Sequence, residues 1–160
     1  MKIIRKSAIV IARFLISSIF LCGAVNKIFN WHETEKFLMN ILCDWQSYIG
    51  YSEGAQNCIT FLTPWSPLLL MAATLFELIG GLLVLLGIKE KLGAVLLILF
   101  LIPTTILIHQ FWFIEGSARE LQTVMFLKNL AILGGLLLIL CFGASTNSEE
   151  SDPYSSMKMN

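Results

Sequence analysis

FELIGGLLVLLG, residues 76–87, sets one carboxylate, Glu77, and a glycine pair, Gly80 and Gly81, inside an otherwise aliphatic run. The run extends over residues 67–88, and at about 1.5 Å per residue it is long enough to cross a hydrocarbon core of roughly 30 Å. A charge at mid-bilayer costs roughly 2.5–3.5 kcal/mol even on the lenient insertion scale, so Glu77 is expected to face protein, not lipid. Ala73, Thr74, Gly80 and Gly81 share its helical face, and small residues there suit close helix packing. This stretch therefore implies a membrane helix bundle with something polar assembled inside it.

Three further spans surround it. Residues 7–29 follow a basic start of Lys2, Arg5 and Lys6. Residues 92–112 contain Pro103, which is expected to kink the helix, and residues 122–142 carry FLKNLAILGGLLLIL. The first span is interrupted by Arg13 and lacks a small-residue cleavage site, so it reads as a membrane helix and not a signal peptide. Composition agrees: of 160 residues, 56% are hydrophobic and 14% charged, where soluble proteins average about 25% charged. Mean hydropathy is +0.76. Eleven basic and eleven acidic residues cancel, leaving no basic surface of the kind nucleic acid requires. The expected fold is an all-α four-transmembrane-helix bundle over residues 1–144, contacting the lipid bilayer, with residues 145–160 as a disordered tail.

Between the first two spans, Thr34 to Trp45 repeats Phe37, Leu38, Ile41, Leu42 and Trp45 at helical spacing. That pattern predicts an extra amphipathic helix lying at the interface, followed by a polar turn over residues 50–57. Cys22 and Cys141 fall in apolar runs, whereas Cys43 and Cys58 fall in this loop and are the candidate disulfide pair in an oxidising compartment. Neither belongs to a C-x-x-C pair, so no metal site is read. Lys2, Arg5, Lys6, Lys89, Lys91 and Lys158 flank one side, against Lys36 and Arg119 on the other. Both termini are therefore expected in the cytoplasm and the cysteine-bearing loop outside, in a bacterial cytoplasmic (inner) membrane.

Five ionisable residues lie within the apolar runs: Arg13, Lys27, Glu77, His109 and Lys128. Arg13 and Lys27 are fourteen residues apart, nearly four turns, and so share a helix face. Snorkelling explains Arg13, whereas Lys128, beside Asn129, lies too deep for that explanation. LIGGLLVLLG (78–87) resembles ILGGLLLILCFG (132–143), and Lys27-Ile-Phe29 resembles His109-Gln-Phe111, which suggests a parallel two-helix repeat. That repeat places Lys128 about one turn, roughly 5 Å, from the level of Glu77. The expected polar cluster is Glu77 with Lys128, joined by Lys27 or His109, with Asn129 nearby. Two readings of it stay open: a salt bridge that fixes helix register, and a ligand-orienting carboxylate in a pocket.

Arg13 early in the first span, G-x-x-x-K from Gly23 to Lys27, FELIGGLLVLLG, and FLKNLAILGGLLL together resemble the DoxX family of small four-helix bacterial membrane proteins. The resemblance covers about residues 8–142. It implies that Arg13, Gly23, Lys27, Glu77, Gly80, Gly81 and Lys128 occupy family-pattern positions. It also implies a quinone-associated membrane oxidoreductase, or a subunit of one, with quinone as cofactor. The chain lacks C-x-x-C, a bis-histidine haem pair and a dinucleotide loop, so a redox role calls for a bound quinone, a membrane or redox partner subunit, or the Cys43/Cys58 pair. A non-catalytic assembly or stress-associated binding protein and a small-solute or lipid carrier are the alternatives.

Overall fold

The computed structural model describes residues 2–50 and 52–143, and the expected tail at 145–160 lies outside them. The described chain is helical throughout: α1 (Lys2–Phe29), α2 (Trp31–Tyr48), α3 (Glu53–Leu62), α4 (Ser66–Leu86), α5 (Glu90–Ile108) and α6 (Ser117–Phe142). Among the described residues, four segments are long and apolar enough to cross a membrane: Ser7–Phe29, Glu53–Leu86, Glu90–Ile108 and Ser117–Phe142.

The boundaries follow from local chemistry. Pro64 and Pro67 sit at the starts of a 3₁₀ turn, Thr63–Trp65, and of α4, where a missing N–H costs nothing. Gly87 ends α4 at φ +70°, its N–H bonding the carbonyl of Val84 while that of Ile88 bonds Leu83. This is the left-handed helix stop that glycine adopts without a side-chain penalty. Lys89, also left-handed, starts α5 directly afterwards. The polar turn expected over 50–57 is shorter, because α3 already begins at Glu53. The third span ends at Ile108, before 112, and α5 is continuous through Pro103.

α4 packs against both α1 and α5, and α6 packs chiefly against α5 and also reaches α1, where a Cβ on Gly135 would lie 3.0 Å from Ile16 Cδ1. α4 and α5 cross where two glycines meet: a Cβ on Gly80 would lie 3.0 Å from the Gly93 carbonyl, and one on Gly93 would lie 2.9 Å from that of Gly80. Phe20, Val84, Ala94, Leu97, Phe100, Leu101 and Leu136 form the core. α2 lies across α1, α4 and α5 at the end of the bundle near His109. It is held there by Ile41 and Leu42 and by the Trp45 indole N–H, which donates to the Leu107 carbonyl at 2.9 Å.

Candidate functional site

Glu77 lies eleven residues into α4, about 16 Å along its axis, and is 4% exposed. Its Oε2 accepts from Lys27 Nζ at 2.6 Å. Gly23, one turn before Lys27, makes room for this pair, since a Cβ there would lie 2.5 Å from Glu77 Oε1. The ammonium of Lys27 also sits 5.1 Å from the centroid of the Phe100 ring, within cation–π range. Phe100 is fixed in turn by an edge-on contact with Phe20 at 6.2 Å.

The remaining candidate residues are placed differently. Lys128 does not join Glu77: it is exposed on α6, and its Nζ meets Met125 Sδ at 3.3 Å. The reason is architectural, because α4 presents Glu77 to α1 whereas α6 packs chiefly against α5. His109 follows the end of α5 and pairs through Nδ1 with Gln122 Oε1 at 2.8 Å. The Asn129 amide donates to Thr105 Oγ1 at 3.0 Å. These two contacts tie α6 to α5 apart from the Glu77–Lys27 pair. The glycine pairs of the suggested repeat match at one position and differ at the other: a Cβ on Gly81 or on Gly135 would lie 3.0 Å from a side chain of α1, Leu21 or Ile16, whereas one on Gly80 would meet α5 and one on Gly134 nothing within 4 Å.

Arg13 is paired, not snorkelling. Its Nη2 donates to Glu90 Oε1, and Glu90 is buried at the start of α5. A Cβ on Gly87 would lie 2.7 Å from Arg13 Nη1. Glu90 and Gly87 escaped the sequence reading because a charged turn ordinarily faces water. The signal was the shared face of Arg13 and Lys27, which carries one ion pair toward the middle of α1, at Arg13, and one near its C-terminal end, at Lys27.

Cys43 and Cys58 are free and exposed, so the expected disulfide is not formed. Gln46 Nε2 donates to Thr60 Oγ1 at 3.0 Å, joining α2 to α3. Cys58, two residues from Thr60, therefore projects from the opposite side of α3.

Beside the Lys27–Glu77 pair, toward the His109 end, is a cavity of about 260 Å³. α2 contributes Phe37, Leu38 and Leu42 to its wall, α4 contributes Ala73 and Phe76, and α5 contributes the face from Leu99 to Ile108. Among the described residues that line it, only Lys27 is charged, and Thr34 and Thr104 are the others whose side chains carry a polar atom. The volume lies just under the usual 300–1,000 Å³ of ligand clefts, which is room for a ring-sized head with its tail outside. Phe76 and Leu99 are also exposed on the outer surface of the bundle, so the cavity borders the lipid side.

A multi-pass bundle with a buried lysine–glutamate pair beside an apolar cavity defines the class of protein. The DoxX family model matches residues 8–110, and the SURF4 family model matches residues 70–152. The chain belongs to the DoxX family, and by the same measure, a match over more than half its length, its later part falls within the SURF4 family. Lys128 lies outside the DoxX match and inside the SURF4 one. The inner membrane protein YphA of Escherichia coli (strain K12) is 26% identical over 106 residues, covering 66% of this chain and 76% of that protein. The ER-derived vesicles protein ERV29 of Saccharomyces cerevisiae is 32% identical over 85 residues, covering 53% of this chain. The match spans 26% of ERV29, about a quarter of its length. No solved structure matches.

Proposed function

We propose that this protein is the quinone-binding membrane subunit of an oxidoreductase, with the head of the quinone held in the cavity beside Lys27. One observation carries the reading: among the described residues, the sole charged side chain lining an apolar cavity is an ammonium whose position is fixed by a buried carboxylate. Of the three N–H groups of Lys27, one goes to Glu77 Oε2. That leaves donors for a carbonyl oxygen of the ligand. Glu77 orients Lys27 and balances its charge, while Phe37, Leu38, Phe76 and Leu99 exclude water from the ring. A bound quinone supplies two-electron, two-proton carrier chemistry, and a partner protein supplies the electron donor or acceptor.

The subunit sits in a bacterial inner membrane with both termini cytoplasmic and α2 lying at the external interface. The excess of lysine and arginine beside the N-terminus and the α4–α5 turn supports this orientation. Reporter fusions after Glu90 and after Ser117 test it, with the first expected inside and the second outside; the reverse result overturns the orientation.

The likeness to ERV29, an ER-derived vesicles protein, favours a second reading, in which the same cavity serves a non-catalytic binding protein. A photoreactive alkyl benzoquinone examines the shared site in isolated membranes. Label is expected on α5 between Leu99 and Ile108 and on α2 between Thr34 and Leu42. Label confined to the lipid-facing side of α6 would sink the cavity as the site. Quinone-dependent electron flow lost on deletion of the protein separates the oxidoreductase reading from the second one.

A further inference from the structure

The polar atoms of the cavity are unequal in kind. Lys27 is a donor. Thr34 Oγ1 donates its hydrogen to the Asn30 carbonyl at 2.9 Å, and Thr104 Oγ1 donates its hydrogen to the Phe100 carbonyl at 2.7 Å. With their hydrogens committed, both hydroxyl oxygens can only accept from a ligand. Pro103 adds a third acceptor. It has no N–H, so the carbonyl of Leu99, one turn earlier, loses its helical partner. Leu99 and Pro103 both line the cavity, so the gap in the helical ladder opens on the cavity face of α5.

From this we infer that the cavity selects a ligand head carrying a hydroxyl, a hydroquinone, over the fully oxidised carbonyl form. The inference rests on the quinone-class reading above and names which form of the ligand the site prefers. A hydroquinone oxygen accepts from Lys27 while a hydroxyl of the same ring donates to Thr104 Oγ1 or to the Leu99 carbonyl. A quinone can satisfy Lys27 alone. Its second carbonyl would confront acceptors, or would require Thr104 to surrender its bond to Phe100. Buried groups built to receive a hydroxyl penalise an analogue that lacks one. The preference for the hydroxyl form therefore resides in Thr104 and Pro103, not in Lys27, which only donates.

Three probes separate the possibilities on the purified full chain in nanodiscs under anaerobic conditions: a short-chain alkyl benzoquinone, its hydroquinone, and the dimethyl ether of that hydroquinone. The wild-type protein is expected to bind the hydroquinone about ten-fold more tightly than the quinone or the ether. Thr104→Val removes one acceptor, and Pro103→Ala returns an N–H to the Leu99 carbonyl. Each is expected to shrink the preference, and the two together to shrink it further than either alone. Pro103→Ala restores a helical bond and so keeps the test available if Thr104→Val folds poorly. Equal affinity of the wild type for hydroquinone and ether, or a preference unchanged in both variants, overturns this inference and leaves the quinone site standing. Failure of all three probes to bind the wild type overturns both.

Discussion

At the scale of single residues, the energetics turn on pairing. Glu77 is 4% exposed, and removing one member of a buried ion pair strands the other at a typical cost of about 3–5 kcal/mol. Glu77→Gln is therefore expected to lower the unfolding stability in detergent by that order, because Lys27 then has no counter-charge. The double change Lys27→Met with Glu77→Leu should lose much less than the two single changes summed. Additive losses in such a cycle would mean that the pair contributes no coupling. The sequence made Glu77 legible as an inward-facing residue, because an unpaired carboxylate in an aliphatic run has few alternatives. It did not make the partner legible. Lys27 and Lys128 were both lysines beside asparagine and small residues, and the choice between them depends on which helix lies against α4. Arg13 was misread for a related reason: its partner Glu90 opens α5 just after a charged turn, and only the packing of α1 on that end of the bundle buries it against Arg13.

At the scale of elements, glycine identity has a spatial meaning that composition hides. Gly93, the fourth residue of α5, and Gly134, in the interior of α6, both lie in leucine-rich spans, where Ala would gain up to about 1 kcal/mol in helix propensity. Around Gly93 a new Cβ meets the Gly80 carbonyl at 2.9 Å and Leu83 Cβ at 2.9 Å. Backbone cannot yield as a flexible side chain can, so overpacking of about 1–3 kcal/mol outweighs the propensity gain. Gly93→Ala is expected to destabilise the bundle, and Gly134→Ala to be neutral or stabilising. Thermal unfolding of the two variants checks the contrast; equal effects would mean that α4 and α5 do not cross at these glycines. Helix lengths and the four spans were readable from apolar run length. The start of α3 at Glu53 was not, because a polar stretch beginning with Gly and Ser reads as a turn until the apolar side of α3 meets α2. The resemblance between the two glycine-rich segments extends to their surroundings only in part, since Gly81 and Gly135 both face side chains of α1 whereas Gly80 meets α5 and Gly134 meets nothing within 4 Å.

At the scale of the whole molecule, α1 is fastened by two cation–carboxylate pairs, Arg13–Glu90 and Lys27–Glu77, one toward each end of the bundle. The first locks the α4–α5 turn. The second borders a cavity that α2 covers at the His109 end, so the bundle combines a rigid polar anchor with an apolar chamber beside the lipid. Membership of the DoxX family defines that architecture without specifying its chemistry, and the chemistry is argued from Lys27. Equilibrium binding of an alkyl benzoquinone to the purified protein in nanodiscs, compared among wild type, Lys27→Gln and Lys128→Gln, is the most direct test. A charge-assisted hydrogen bond is worth about 1.5–3 kcal/mol, so Lys27→Gln should weaken binding by about ten-fold or more. Lys128→Gln, on the far side of α5, should leave it unchanged. No saturable binding to the wild type, or equal losses in the two variants, would contradict a quinone site at Lys27.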